Sequence, residues 1–138
     1  MRILIIDDNS GITNLVHQLL RTQGYEVFSA SNNDEGIQMI RDKAPDLVIL
    51  DLMLPHQDGW DVCKAIRSFS NVPIMIMSAL NGAVYVASAL DMGADDYLVK
   101  PVPNNMLLAR VRRLLQRSAE NQRASSSLYR QASSWVSG

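Results

Sequence analysis

Five side chains that could act together chemically each follow an apolar run of the sequence. Asp7 and Asp8 follow MRILII, Asp51 follows LVIL, Ser78 follows IMIM and Lys100 follows YLV. Burying an unpaired charge is costly, so a carboxylate at the end of an apolar strand either begins a loop or belongs to a site. Three carboxylates in one crevice carry more negative charge than one lysine can neutralise. An all-oxygen site of this kind suits Mg²⁺.

The same residues have the properties that phosphoryl chemistry requires. A carboxylate such as that of Asp51 can attack phosphorus and form an aspartyl-phosphate. Such a transfer depends on stabilising the charge of the phosphoryl oxygens more than on acid–base catalysis. Lys100 and Ser78 could supply that charge and a hydroxyl donor.

Strands and helices alternate along the chain, and this alternation would bring the five residues together. It predicts an α/β protein with a doubly wound parallel sheet covered by helices on both faces. Right-handed crossovers place the carboxyl ends of all strands at one edge of the sheet, where ligands bind. The predicted strands are Arg2–Ile6, Tyr25–Ala30, Leu47–Leu50, Pro73–Met77 and Tyr97–Val99, and the predicted helices cover residues 12–20, 34–42, 60–68, 83–91 and 104–117.

Composition limits the classes of protein to consider. The chain has 138 residues, 47% of them apolar, with a net charge of −1 and one cysteine, Cys63. Its apolar runs are much shorter than the roughly 20 residues that a membrane-spanning helix needs, so we expect no membrane segment. A single cysteine fits a reducing compartment, and we expect the cytoplasm. Residues 1–117 are expected to form one domain, and the serine-rich residues 118–138 a linker or tail.

Four ordered blocks, "IIDDN", "DLVILDLMLPHQDGWDVCKAIR", "IMIMSA" and "GADDYLVKP", resemble the receiver domain of two-component response regulators. The resemblance covers residues 1–117 and implies a flavodoxin-like fold of five parallel strands in the order 2-1-3-4-5, with five helices. It also implies the following roles: Mg²⁺ ligation by Asp7, Asp8, Asp51 and the backbone carbonyl of Met53; phosphoacceptance by Asp51; phosphoryl binding by Ser78 and Lys100; switching by Ser78 and Tyr97; and a cis peptide bond between Lys100 and Pro101.

The family also implies partners and a mechanism. A sensor histidine kinase would donate its phosphoryl group to Asp51, and the change would reach the face made by helix 4, strand 5 and helix 5. Met53 and Leu80 would flank the path of attacking water, and their apolar side chains predict slow loss of phosphate. A homodimer through that face is expected on phosphorylation, with an apolar centre. Its residues would be Val84, Tyr85, Asp95, Asp96, Arg110 and Arg117.

Alternatives remain at this stage. The stretch "LLARVRRLLQRS" resembles the exit from receivers that are joined to a winged-helix DNA-binding domain, so DNA would be bound only through an effector that this chain lacks. A stand-alone receiver acting through protein contacts is the other reading, and a receiver-like module that is never phosphorylated is disfavoured because all expected site residues are present. A Mg²⁺-dependent phosphatase with an aspartyl nucleophile usually carries D-x-D after its first strand, which "DDNSG" lacks. We therefore expect a switch that catalyses only its own phosphorylation and dephosphorylation.

Overall fold

The computed structural model of the chain describes residues 1–52 and 59–137, with side chains for residues 1–52 and 60–121. Met53, to which the sequence assigned two roles, lies outside the described residues. The strands are β1 (Arg2–Ile6), β2 (Glu26–Ala30), β3 (Leu47–Leu50), β4 (Ile74–Ser78) and β5 (Asp96–Val99). The helices are α1 (Ser10–Thr22), α2 (Asn33–Lys43), α3 (Gly59–Arg67), α4 (Ala83–Asp91) and α5 (Asn104–Ser137).

The five strands form one parallel sheet in the order β2-β1-β3-β4-β5. The predicted flavodoxin-like order is confirmed. Every residue of the central strand β3 is buried, as its uninterrupted apolar sequence requires when helices cover both faces.

Alternate side chains of the strands form two cores, one on each face of the sheet. Leu4, Ile6, Val48 and Leu50 point to the face covered by α2, α3 and α4. Their sequence neighbours point to the face covered by α1 and α5, where the core consists of Ile3, Ile5, Val16, Leu20, Leu47, Ile49, Met75, Met77, Leu98, Leu107, Val111, Leu114 and Leu115.

Local signals in the sequence set the ends of the first helices. The side chain of Asn9 caps α1 by accepting a hydrogen bond from the backbone of Ile12, and Asn32 caps α2 in the same way. Gly24, just after α1, has φ of +89°, a conformation that glycine adopts without steric cost. The capping of α1 fixes the direction in which the chain leaves Asp7 and Asp8.

Arg67, the last residue of α3, ties three segments together. Its guanidinium donates to the carbonyl oxygens of Gly93 (3.0 Å), Ser70 (3.2 Å) and Val72 (2.6 Å) and to the carboxylate of Asp95 (2.9 Å). Gly93 is required here, since a Cβ at that position would lie 2.7 Å from Cγ of Arg67. The end of α3 is therefore joined to the segment before β4 and to the turn between α4 and β5.

The last helix is longer than the sequence indicated. A helix over 104–117 followed by a linker was expected, whereas α5 continues to Ser137. Serine and asparagine lower helix propensity only modestly, and neither glycine nor proline occurs between residues 104 and 137 to end the helix. No helix in the described part of the chain combines the length and apolarity needed to cross a bilayer.

Candidate functional site

The register of the sheet places Asp7 and Asp51 side by side. Ile6 lies opposite Leu50 across β1 and β3, and the amide of Asp51 donates to the carbonyl of Ile6 at 3.0 Å. The next residue on each strand therefore emerges at the same edge. Both aspartates are almost fully buried, at 7% and 8% exposure.

Lys100, the residue after β5, forms hydrogen bonds with both of these aspartates. Its Nζ donates to Oδ2 of Asp7 at 2.9 Å and to Oδ2 of Asp51 at 3.0 Å. The backbone amide of Lys100 donates to the carbonyl of Ser78 at 2.8 Å, which fixes the lysine beside β4. The peptide bond from Lys100 to Pro101 is cis.

The electrostatics of Lys100 follow from this placement. Burial favours the neutral amine, but the hydrogen bonds to Asp7 and Asp51 and their negative charges outweigh it, so the pKa of Lys100 is raised above its ordinary value. The ammonium is therefore charged at neutral pH.

Asp8 completes a cluster of three carboxylates that fits a metal ion. One oxygen each of Asp7, Asp8 and Asp51 lies within 4.8 Å of the others. Asp8 is exposed while the other two are buried, so the cluster opens to solvent on one side. The all-oxygen donor set and an excess of negative charge over Lys100 match the preferences of Mg²⁺.

Ser78 and Tyr97 are linked through the chain that follows β4. Ser78 is fully buried as the last residue of β4, and its Oγ accepts from the amide of Leu80 at 3.3 Å. The hydroxyl of Tyr97 donates to the carbonyl of Leu80 at 2.7 Å. Burial raises the pKa of Tyr97; a hydrogen bond with Ser78 opposes this, and Asp51 and then Tyr85 add to it.

The charged residues expected on a dimer face pair within the chain. Arg110 forms an ion pair with Asp96, and Arg117 and Arg67 both pair with Asp95. On α4, Val84 is 76% exposed and Tyr85 is 40% exposed. The exposed centre of this face is apolar on α4.

Two features of the site region carried no recognisable sequence signal. Trp60 and Tyr85 contact each other across α3 and α4. A groove of about 540 Å³ lies between α1 and the start of α5, lined by Leu15, Leu19, Met77, Lys100, Val102 and Leu107 among others. Leu15 falls on the apolar stripe of α1 but is 70% exposed at this groove.

Known proteins resemble this chain in both sequence and fold. The response regulator receiver domain matches residues 3–112. The transcriptional regulatory protein AfsQ1 of Streptomyces coelicolor is 40% identical over 115 residues, which cover 83% of this chain and 51% of AfsQ1. The DNA-binding response regulator MtrA of Mycolicibacterium paratuberculosis is 39% identical over 117 residues, which cover 85% of this chain and 52% of MtrA. The chain thus spans about half the length of these curated relatives.

Solved structures agree with this assignment. A two-component response regulator from Clostridium difficile is 35% identical with a TM-score of 0.82, over 85% of this chain and 97% of that one. The BeF3-activated receiver domain of Klebsiella pneumoniae RstA is 32% identical with a TM-score of 0.80, over 83% of this chain and 98% of that one. With the matched residues spanning the whole sheet and the site at its edge, the chain belongs to the receiver domain family of two-component response regulators.

Proposed function

We propose that this receiver domain accepts a phosphoryl group on Asp51 from a phosphohistidine of a sensor histidine kinase. An oxygen of the Asp51 carboxylate forms the new bond to phosphorus, and the bond from phosphorus to the donor's imidazole nitrogen breaks. The observation that carries the proposal is the pair of hydrogen bonds from Lys100 to Asp7 and Asp51. They place the positive charge of Lys100 beside the carboxylate that would attack phosphorus.

Asp7, Asp8 and Asp51 would hold Mg²⁺, with the carbonyl of Met53 as a further proposed ligand. A bound Mg²⁺ supplies positive charge to the phosphoryl oxygens. Lys100 would shift from the Asp51 carboxylate to a phosphoryl oxygen as the charge there develops. The hydroxyl of Ser78 would donate to another phosphoryl oxygen, and Asp7 would keep Lys100 oriented.

The signal would leave the site through Ser78 and Tyr97. If Ser78 Oγ turns to a phosphoryl group, it gives up its bond from the amide of Leu80, whose carbonyl accepts from Tyr97. The change would reach the face of α4, β5 and α5, where homodimers are proposed to form. We propose that residues 1–117 are the receiver and that the following segment leads to a DNA-binding effector that regulates transcription, as the names of AfsQ1 and MtrA suggest for those relatives.

Labelling with a small phosphodonor tests the proposal. Wild-type protein with acetyl phosphate and Mg²⁺ should gain one phosphoryl group by intact-mass measurement, and Asp51→Asn should gain none while staying folded. Asp61→Asn, an exposed aspartate on α3, is the matched control and should label as wild type. Labelling of folded Asp51→Asn at another residue would refute the assignment. Many turnovers of a generic phosphomonoester would point to a phosphatase instead.

A further inference from the structure

Trp60 and Tyr85 join the beginnings of α3 and α4. Their ring centroids are 6.2 Å apart with the ring planes tilted by 41°, and this centroid distance lies within the range of interacting aromatic pairs. Trp60 is half-buried and packs on the core beneath α3, whereas Tyr85 keeps part of its ring exposed. The contact therefore anchors the first turn of α4 to the body of the domain.

The ring of Tyr85 also lies next to the end of the segment that connects the site to α4. Gly82, the residue before α4, has φ of +121°, and a Cβ built on it would lie 3.7 Å from Cδ2 of Tyr85. Two residues earlier, the amide of Leu80 donates to Ser78 and its carbonyl accepts from Tyr97. Tyr85 thus lies beside Gly82, the last residue of the segment that begins with the serine of the site.

We propose that the Trp60–Tyr85 contact is a latch that holds the Ser78–Gly82 segment in its unphosphorylated conformation and so opposes the engagement of Ser78 with a phosphoryl group on Asp51. Trp60 and Tyr85 are positioning residues, because they act through Ser78. The inference rests on the proposed function, since it concerns the phosphoryl group at Asp51. Engagement breaks the bond from Leu80 to Ser78, the segment moves, and the ring of Tyr85 must leave Trp60.

Beryllofluoride with Mg²⁺, which stands in for a phosphoryl group on an aspartate, provides the measurement. The chain has two tryptophans, so Trp135→Phe makes Trp60 the only one. In that background Tyr85→Leu should bind beryllofluoride about fivefold more tightly, the factor that one aromatic pair is worth. Tyr85→Phe keeps the ring and should bind as the parent does. Trp60 emission should change on binding in the parent, and Tyr85→Leu should show the altered emission before binding.

Fluorine NMR of bound beryllofluoride separates the two possible failures. If the parent protein binds none, the proposed function fails and the latch with it. If the parent binds but Tyr85→Leu has equal or weaker affinity, or Trp60 emission is unchanged on binding, the latch alone is overturned. Trp60→Leu, followed by the same NMR signal, is the second variant and should also bind about fivefold more tightly. Circular dichroism checks that each variant is folded.

Discussion

Replacing Arg67 with alanine should destabilise the domain by about 3 kcal/mol. The side chain is 23% exposed and donates to three carbonyls as well as to Asp95. Three hydrogen bonds at about 1 kcal/mol each, plus less than about 1 kcal/mol for a partly exposed ion pair, give this magnitude. Asp95 keeps the amide of Ile74 and Arg117 as partners, so no uncompensated buried charge is left.

Urea unfolding without Mg²⁺ measures the loss. At a slope of about 1.5 kcal/mol per molar urea, the midpoint should fall by about 2 M. Arg113→Ala, an exposed arginine on α5, is the matched control and should change stability by no more than about 0.5 kcal/mol. A loss for Arg67→Ala no larger than that of the control would refute the role of its four hydrogen bonds.

Gly93→Ala probes the same contact from the other side. The new Cβ would meet Cγ of Arg67, and Gly93 has φ of +107°. In the Arg67→Ala background the steric conflict is gone and only the backbone strain remains. The two substitutions should therefore be less than additive in a double-mutant cycle. Strict additivity would mean that Arg67 and Gly93 do not interact.

The remaining predictions concern phosphate loss, association and pH. Leu80→Glu or Met53→Asn should speed the decay of the phosphorylated protein about tenfold, since the new side chain can hydrogen-bond an attacking water. Unchanged decay of the radiolabel in both variants would show that exclusion of water does not explain slow phosphate loss. Beryllofluoride-treated protein should sediment as a dimer at low and high salt, because the exposed centre of the face at Val84 is apolar. Val84→Lys should weaken the dimer, and a wild-type dimer that dissociates at high salt would argue against an apolar centre. Burial and then Arg21 lower the pKa of His17 below 6.5, so the unfolded chain takes up the proton first and stability falls as pH drops below about 6.5; the melting temperature of His17→Gln should fall less over this range, and an equal fall would refute it.

The fold could be predicted closely from the sequence because its signals are local. The bounds of β1, β3 and α4 agree with those predicted from the apolar pattern. The gathering of Asp7, Asp51 and Lys100 was predicted from the alternation of strands and helices, because the carboxyl ends of parallel strands lie at one edge of the sheet.

What the sequence could not supply depends on contacts between distant residues. Asp95 and Asp96 were expected on the face of a dimer. Their ion pairs with Arg67 and Arg110 of the same chain could not be predicted, because these residues come together only when the chain folds. The contact of Trp60 with Tyr85 is likewise set by how α3 and α4 pack. The end of α5 was misjudged for a different reason, since serine-rich composition was weighed above the absence of glycine and proline.

The continuity of α5 has a mechanical consequence. Ser118 is the last buried side chain along the described part of this helix, which nevertheless runs on to Ser137. At about 1.5 Å per residue, residues 119–137 form a lever arm of about 28 Å. A tilt of about 10° where α5 meets the sheet would displace the far end by about 5 Å. A flexible linker of equal length would not transmit such a change of angle, because its two ends are not held in a fixed orientation. A helix converts a small change of angle at the receiver into a defined displacement.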